Sequence, residues 1–249
     1  MNKQVLFLSL VLFLVFVIAT APARVLVRLL PADLPLQFAG VSGTLWQGSA
    51  TSITFKRQVF NNARWDLNST SLLFGKVAGE IEMKDNRFNL ASDFEVLFDQ
   101  TVRLSNAVIT ANANQLSPFL PLKSILVDGR LRVDLDSLSF SAKVGPSDIS
   151  GQFEWLRAKA SISGPLIDLG TFRASFSSTE ANTTLFTLDK TNNVLDLTGT
   201  AELAWPSSVT LDMTTSDQVP SGLQNVIVFL KKNQQGRRQL SMTIPLQRK

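Results

Sequence analysis

The chain has 249 residues, 45% of them apolar and 18% charged, with a formal net charge of +4. That apolar content excludes a disordered chain, and the length suits one large β domain or two small ones. Cys, His and Tyr are all absent, which removes disulfides, thiolate chemistry, zinc–cysteine sites and the usual general base near neutral pH.

The chain begins with four residues, 1–4, expected in the cytoplasm, and then Val5 to Ala23 is uncharged, broken only by Ser9, Thr20 and Pro22. At about 1.5 Å per residue such a helix approaches the roughly 30 Å hydrocarbon core. Leu, Val, Phe and Ile surround every face, so no amphipathic stripe marks a soluble core helix. The expectation is an uncleaved signal anchor over 5–23, with the following domain in the periplasm. Cleavage at Ala19-Thr20-Ala21 or Ala21-Pro22-Ala23 is the competing reading. Residues 24–39 read as a juxtamembrane linker, in which Pro31 ends a helical continuation and Pro35 extends the chain.

From Gly40 the apolar period becomes two. Gly40-Val41-Ser42-Gly43-Thr44-Leu45-Trp46-Gln47-Gly48-Ser49-Ala50 opens a strand-like run whose glycines mark bulges or close backbone approach. Ile81 and Met83 alternate with acids and Lys84, and Phe88, Leu90, Phe94, Val96 and Phe98 share one parity. Turn formers separate runs about ten residues apart, the pattern of an antiparallel meander. Ser117-Pro118-Phe119-Leu120-Pro121 interrupts it and divides 40–249 into two similar halves, 40–117 and 123–249. Then Leu131, Val133 and Leu135 alternate before Leu138 and Phe140 resume in the other phase, which places a bulge near Asp136-Ser137. Leu195 to Trp205 reads as one long strand, with Val209, Leu211 and Met213 as the next. Leu223, Val226, Ile227 and Leu230 fall at helical spacing, so Ser221 to Asn233 reads as a short C-terminal helix with Lys231 and Lys232 in its last turn. Gly236 stops it, and Leu240, Met242 and Ile244 close the sheet.

The acid pairs Asp134/Asp136 and Glu80/Glu82 are the nearest thing to acid–base machinery. Alternation with apolar neighbours makes them the wet face of half-buried strands. No catalytic residue, metal ligand or cofactor is expected. The positive charge is dispersed, Lys231-Lys232 and Arg237-Arg238 being isolated pairs, so nucleic acid is not an expected partner either. Trp46, Trp65, Trp155 and Trp205 are each placed in a strand as core filling, or, in the functional reading, as the lining of a groove for a lipid chain or a partner strand. The order Gly43, Phe55, Trp65 is loosely repeated by Gly129, Phe140, Trp155.

Gly43-Thr44-Leu45-Trp46-Gln47-Gly48-Ser49-Ala50, Ala63-Arg64-Trp65-Asp66-Leu67, Leu73-Phe74-Gly75, Asp128-Gly129-Arg130-Leu131 and Gly151-Gln152-Phe153-Glu154-Trp155 follow one another behind the apolar segment. That succession resembles the type II secretion system protein N (general secretion pathway protein N) family. The resemblance implies a non-enzymatic, single-pass inner-membrane protein of Gram-negative bacteria. Its all-β periplasmic domain would be an elongated, twisted, curved antiparallel meander. It would act in export of folded proteins across the outer membrane, and its partners would be other inner-membrane secretion components and the membrane itself. The motif residues Gly43, Trp46, Gly48, Trp65, Gly129, Gly151, Trp155 and Trp205 are the candidates for partner or groove contact. An AsmA-like lipid-binding or lipid-transfer module is the alternative.

Overall fold

A computed structural model describes residues 3–25, 36–55, 58–115, 126–141, 144–161, 164–180, 182–190, 193–220, 224 and 230–246. The N-terminal segment is helical: α1 spans Lys3–Ala19. Its seventeen residues extend about 25 Å at 1.5 Å per residue. Among the described residues no helix is long and apolar enough to cross a membrane. What α1 lacks in length it keeps in exposure. Phe7, Leu8, Leu12, Phe13 and Phe16 lie 60% or more exposed on successive faces.

The remainder is antiparallel strand, in two compact units of 1–86 with 93–98, and 87–92 with 99–249. The first contains β1 (Leu36–Ala39), β2 (Ser42–Gly43), β3 (Gln47–Phe55), β4 (Gln58–Asn68) and β5 (Lys76–Lys84), with a 3-10 helix, Ser69–Phe74, between the last two. The order is β1-β3-β4-β5, and β2 pairs with β3. Strand β6 (Phe88–Leu97) gives Asp93–Leu97 to this unit and Phe88–Ser92 to the other. The core of the first unit is Ala50, Ile53 and Ala63, over which Phe38, Val41, Trp65 and Met83 pack.

The second unit contains β7 (Val102–Asn112), β8 (Leu126–Ser141), β9 (Gly145–Ser161), β10 (Ile167–Glu180), β11 (Thr183–Leu188), β12 (Thr198–Ala204), β13 (Ser208–Thr215), β14 (Lys231–Lys232) and β15 (Arg238–Pro245). Each of β7 to β12 pairs with the next, then β13 with β15 and β15 with β14. The phase change after Leu135 is a bulge: the β8–β9 register shifts between Leu135 and Ser137, where an extra residue lets the apolar parity switch. Ala158, Leu169, Phe172 and Val219 form the core here. Val219, Leu195, Leu197 and Leu230 come from segments outside the strands and cover that face.

Several expectations are corrected. Lys231 and Lys232 are not a last helical turn; they form β14, paired with Gln239 and Arg238. The Asn233 side chain causes this, because its Oδ1 accepts from the Gln235 and Arg237 amides at 3.0 Å and closes a tight turn. Gly236, at φ 76°, belongs to that turn. Most of the expected helix, 221–223 and 225–229, lies outside the described residues, as does the Pro-flanked boundary at 117–122. The strand expected from Leu195 to Trp205 is only β12. Leu195 lies in a turn where its carbonyl accepts from Thr215 Oγ1 at 2.6 Å, and Trp205 begins the turn into β13. Phe98 falls just beyond β6, 84% exposed, so it leaves the parity of Phe94 and Val96.

Candidate functional site

The Gly-Thr-Leu-Trp-Gln-Gly stretch forms a tight connection between β2 and β3. Thr44 donates its amide to the Gln47 carbonyl at 2.8 Å, and its hydroxyl accepts from the Gln47 amide at 3.0 Å. Gly43 sits at φ 88°, and a Cβ there would lie 2.4 Å from the Gln47 carbonyl oxygen; only glycine lets the chain fold back this closely.

The connection projects its Trp away from the sheet. Trp46 lies in the bend, not in a strand, and its indole N–H donates to the Ile18 carbonyl at 2.9 Å. Leu45 donates its amide to the Ala21 carbonyl at 2.7 Å, and Pro22 bridges Thr44. The last carbonyls of a helix have no partner within it. Here the motif supplies donors for one carbonyl in the last turn of α1, Ile18, which also accepts from the Ala21 amide at 3.3 Å, and for the Ala21 carbonyl just beyond it, and Ala23 is 1% exposed. The core-or-groove expectation for Trp46 is therefore corrected: it joins the helix to the sheet. Nothing in residue spacing signals a bond that spans 28 positions.

Trp65 stabilises the same connection from β4. It stands opposite Gly48 in the register, and its indole N–H donates to the Leu45 carbonyl at 3.1 Å. A Cβ on Gly48 would come within 2.3 Å of Trp65 Cζ2, so the glycine is the seat of the ring. The Gln47 amide group then donates to Asp66 at 2.9 Å, and Leu67 donates its amide to the Trp46 carbonyl at 2.6 Å.

A glycine covered by an aromatic ring recurs in the second unit. Trp155 donates to the Asp128 carbonyl at 3.0 Å, and a Cβ on Gly129 would lie 2.9 Å from its Nε1. Its ring also meets Phe172 at 5.7 Å between centroids. Gly151 is covered by Phe176, and Gly145 by Trp205. A ring laid over a strand glycine hides backbone that would otherwise face water, and it fixes register. The remaining tryptophans thus have structural seats in the sheet, although Trp205 stays 46% exposed. In the sheet, Trp65 is seated on Gly48 and Trp155 on Gly129.

The carboxylates are tied to cations. Arg132 grips Asp134 through two bonds of 2.7 Å and holds its carboxyl below the usual range, while Asp136 is exposed. Glu82 is lowered by its hydrogen bond from Lys84, with which it pairs at 2.7 Å. Such pairing leaves neither acid pair arranged to share a proton. Two shallow pockets open on the sheets. One, of about 310 Å³, includes Arg64, Glu82 and Lys84 among its lining residues; the other, of about 270 Å³, is lined by Asn112, Asp128, Gly129, Arg130, Arg157 and Lys159. Both have charged walls and no tryptophan.

The Leu73-Phe74-Gly75 motif closes a capped 3-10 helix. Asn68 caps the 3-10 helix by accepting from the Thr70 amide at 3.0 Å, and Gly75 ends it at φ 74°. Between these caps Ser71 is buried while Leu72, Leu73 and Phe74 are 45%, 84% and 79% exposed.

An apolar N-terminal helix is thus joined to the antiparallel strands of the first unit by a Gly-Trp connection. The profile of the "Type II secretion system (T2SS), protein N" family matches residues 35–241. The chain belongs to that family. It is 26% identical over 186 residues to Type II secretion system protein N of Vibrio cholerae serotype O1, covering 72% of this chain and 71% of the relative. The Klebsiella pneumoniae protein of the same name is 27% identical over 232 residues, 91% of this chain and 89% of its own. The Aeromonas hydrophila protein is 28% identical over 179 residues, 68% and 69% respectively. No solved structure matches the chain.

Proposed function

We propose that the protein is a non-enzymatic accessory subunit of a type II secretion system, held in the inner membrane by α1, whose periplasmic β units dock other inner-membrane components of that machine. The observation that carries this reading is the Trp46–Ile18 hook, in a chain that belongs to the protein N family. A rigid joint between an apolar helix and a sheet is what a tethered docking subunit needs, and a freely diffusing domain has no use for it. An α-helix exposed and apolar on every face is unfavourable in water. A span slightly shorter than the bilayer core is accommodated by local thinning or snorkelling flanks. β1, at one end of the strand order, offers a short open edge on which a partner's strand could add.

Complementation tests the reading. A strain lacking its protein N, supplied with this full chain, should regain secretion of folded exoproteins. Photo-crosslinkers placed along β1 should trap an inner-membrane secretion component. Restored secretion without any crosslink at β1 or at other exposed strand positions would remove docking from the account.

The lipid-handling reading has one observation in its favour: no large side chain is fully buried among the described residues, so an apolar sheet face remains partly open. Native mass spectrometry of the full chain decides it. A retained phospholipid mass, lost in Trp155→Asp while strand content persists, would favour that reading over docking.

A further inference from the structure

We infer that Leu72, Leu73, Phe74 and Val77, together with Phe98, form a second contact with lipid, a foot by which the first unit stands on the bilayer. The inference rests on the membrane reading of α1 given above.

These five side chains are 45%, 84%, 79%, 37% and 84% exposed. They come from different turns that meet, since a Cβ on Gly75 would lie 2.9 Å from the Phe98 ring. The presentation is built. Asn68 and Gly75 cap the 3-10 helix on both sides, and Ser71 is its buried inner contact. Directly behind, Lys76 and Glu95 pair at 2.5 Å and neutralise each other. Three consecutive exposed apolar residues on a capped turn are unfavourable in water unless something covers them.

What covers them is indicated by where α1 ends. The Ile18 carbonyl is bonded to Trp46, and the Trp46 carbonyl to the Leu67 amide at 2.6 Å. Asn68, the next residue, caps the apolar turn. Two hydrogen bonds and one peptide link therefore separate the helix end from the turn, so both lie at the same end of β4. The other end of β4, at Val59, is nine residues away, about 30 Å along an extended strand. If α1 enters the bilayer, this end of the sheet faces the headgroups. Arg24, exposed just past the helix, supplies a cation for anionic lipid there. Protruding Leu and Phe side chains suit a fluid apolar layer, entered to about 5–10 Å, with the exposed Asp99 beside Phe98 left at the headgroup level. A protein partner is the competing occupant.

The cysteine-free chain makes the test direct. Single variants Leu73→Cys, Phe98→Cys, Phe7→Cys and Val59→Cys carry an environment-sensitive fluorophore, in full-length protein reconstituted into nanodiscs of phosphatidylethanolamine and phosphatidylglycerol. Lipids with a nitroxide on the upper acyl chain serve as quencher, and circular dichroism confirms the strand signal of each variant. The inference predicts blue-shifted, quenched emission at 73 and 98, as at 7, and unquenched emission at 59. Quenching at 7 with water-like emission at 73 and 98 overturns the foot while leaving the anchor intact. Absence of quenching at 7 overturns the membrane reading itself. A shift at 73 that arises only when other secretion components are added assigns the patch to a protein and also overturns the inference.

Discussion

Gly48 beneath Trp65 and Gly129 beneath Trp155 look alike in sequence, yet their backbones differ. In the first unit the ring stands directly across from its glycine in a constant β3–β4 register, and what the glycine provides is space, mainly for the ring and also beside the Thr44 carbonyl, which a Cβ would approach to 2.9 Å. In the second, Gly129 sits at φ 117° in a bulge, where a Cβ would meet the carbonyls of Leu156 and Arg157 at 2.8 and 2.7 Å as well as the indole. Space and conformation are both required there. The coverings differ too. Trp155 is sealed by Phe172 within a core that also takes in Val219, whereas Trp65 covers small alanines and points its N–H at the connection that holds α1. The second unit uses its Gly–Trp pair for stability. The first uses its pair to hold the joint.

The comparison can be broken most severely at Trp155. Trp155→Ala removes a ring that stacks on Phe172 and packs on the larger core, and should cost about 3 kcal/mol of the stability read by denaturant unfolding; Trp65→Ala should cost about 2, since the core it packs on is mostly alanine. Equal costs would deny the distinction. The glycines sharpen it further. Gly129→Ala should destabilise by about 2 kcal/mol, and most of that loss should persist in Trp155→Leu, because strain and carbonyl clash remain. Gly48→Ala should cost about 1–2 kcal/mol, and more than half should vanish in Trp65→Leu, a coupling visible in a double-mutant cycle.

A smaller effect concerns the closing hairpin. Hydrogen bonds from Lys232 and Arg238 hold the Asp217 carboxyl below the usual range. A carboxyl lowered in the folded state contributes stability that is complete above its unfolded value and lost as pH falls through the folded one. Acidification should therefore loosen β14 and β15 before the first unit, and Asp217→Asn should flatten that dependence. A fluorophore at Met242→Cys would report it. Unchanged pH dependence in the variant would show that other acids govern the hairpin.

Much of the meander is legible from alternation alone. Val209, Leu211 and Met213 give β13, Leu240 to Ile244 give β15, and the phase slip after Leu135 gives the bulge. Alternation reports which face a residue takes, not which residue lies opposite, so the seat of Trp65 on Gly48 is visible only in the register. Side-chain capping likewise overrides periodicity: Asn233 turns 231–239 into a hairpin. The joint was illegible because a Trp that caps a distant helix has the same composition and neighbours as one that fills a core. The Leu73-Phe74-Gly75 motif is legible, but the exposure of its side chains is not, because it depends on the caps and on the burial of Ser71.

Hydrogen exchange across the joint tests the central claim most directly. In full-length protein in nanodiscs, Trp46→Phe keeps an aromatic side chain but removes the N–H together with part of the indole, so about 1 kcal/mol or more should be lost from the joint. The account predicts faster exchange at the Ala21, Thr44 and Leu45 amides, with β8 to β10 unchanged. Unaltered exchange at those amides, with loosening of the β3–β4 pairing instead, would return Trp46 to the core and contradict the joint.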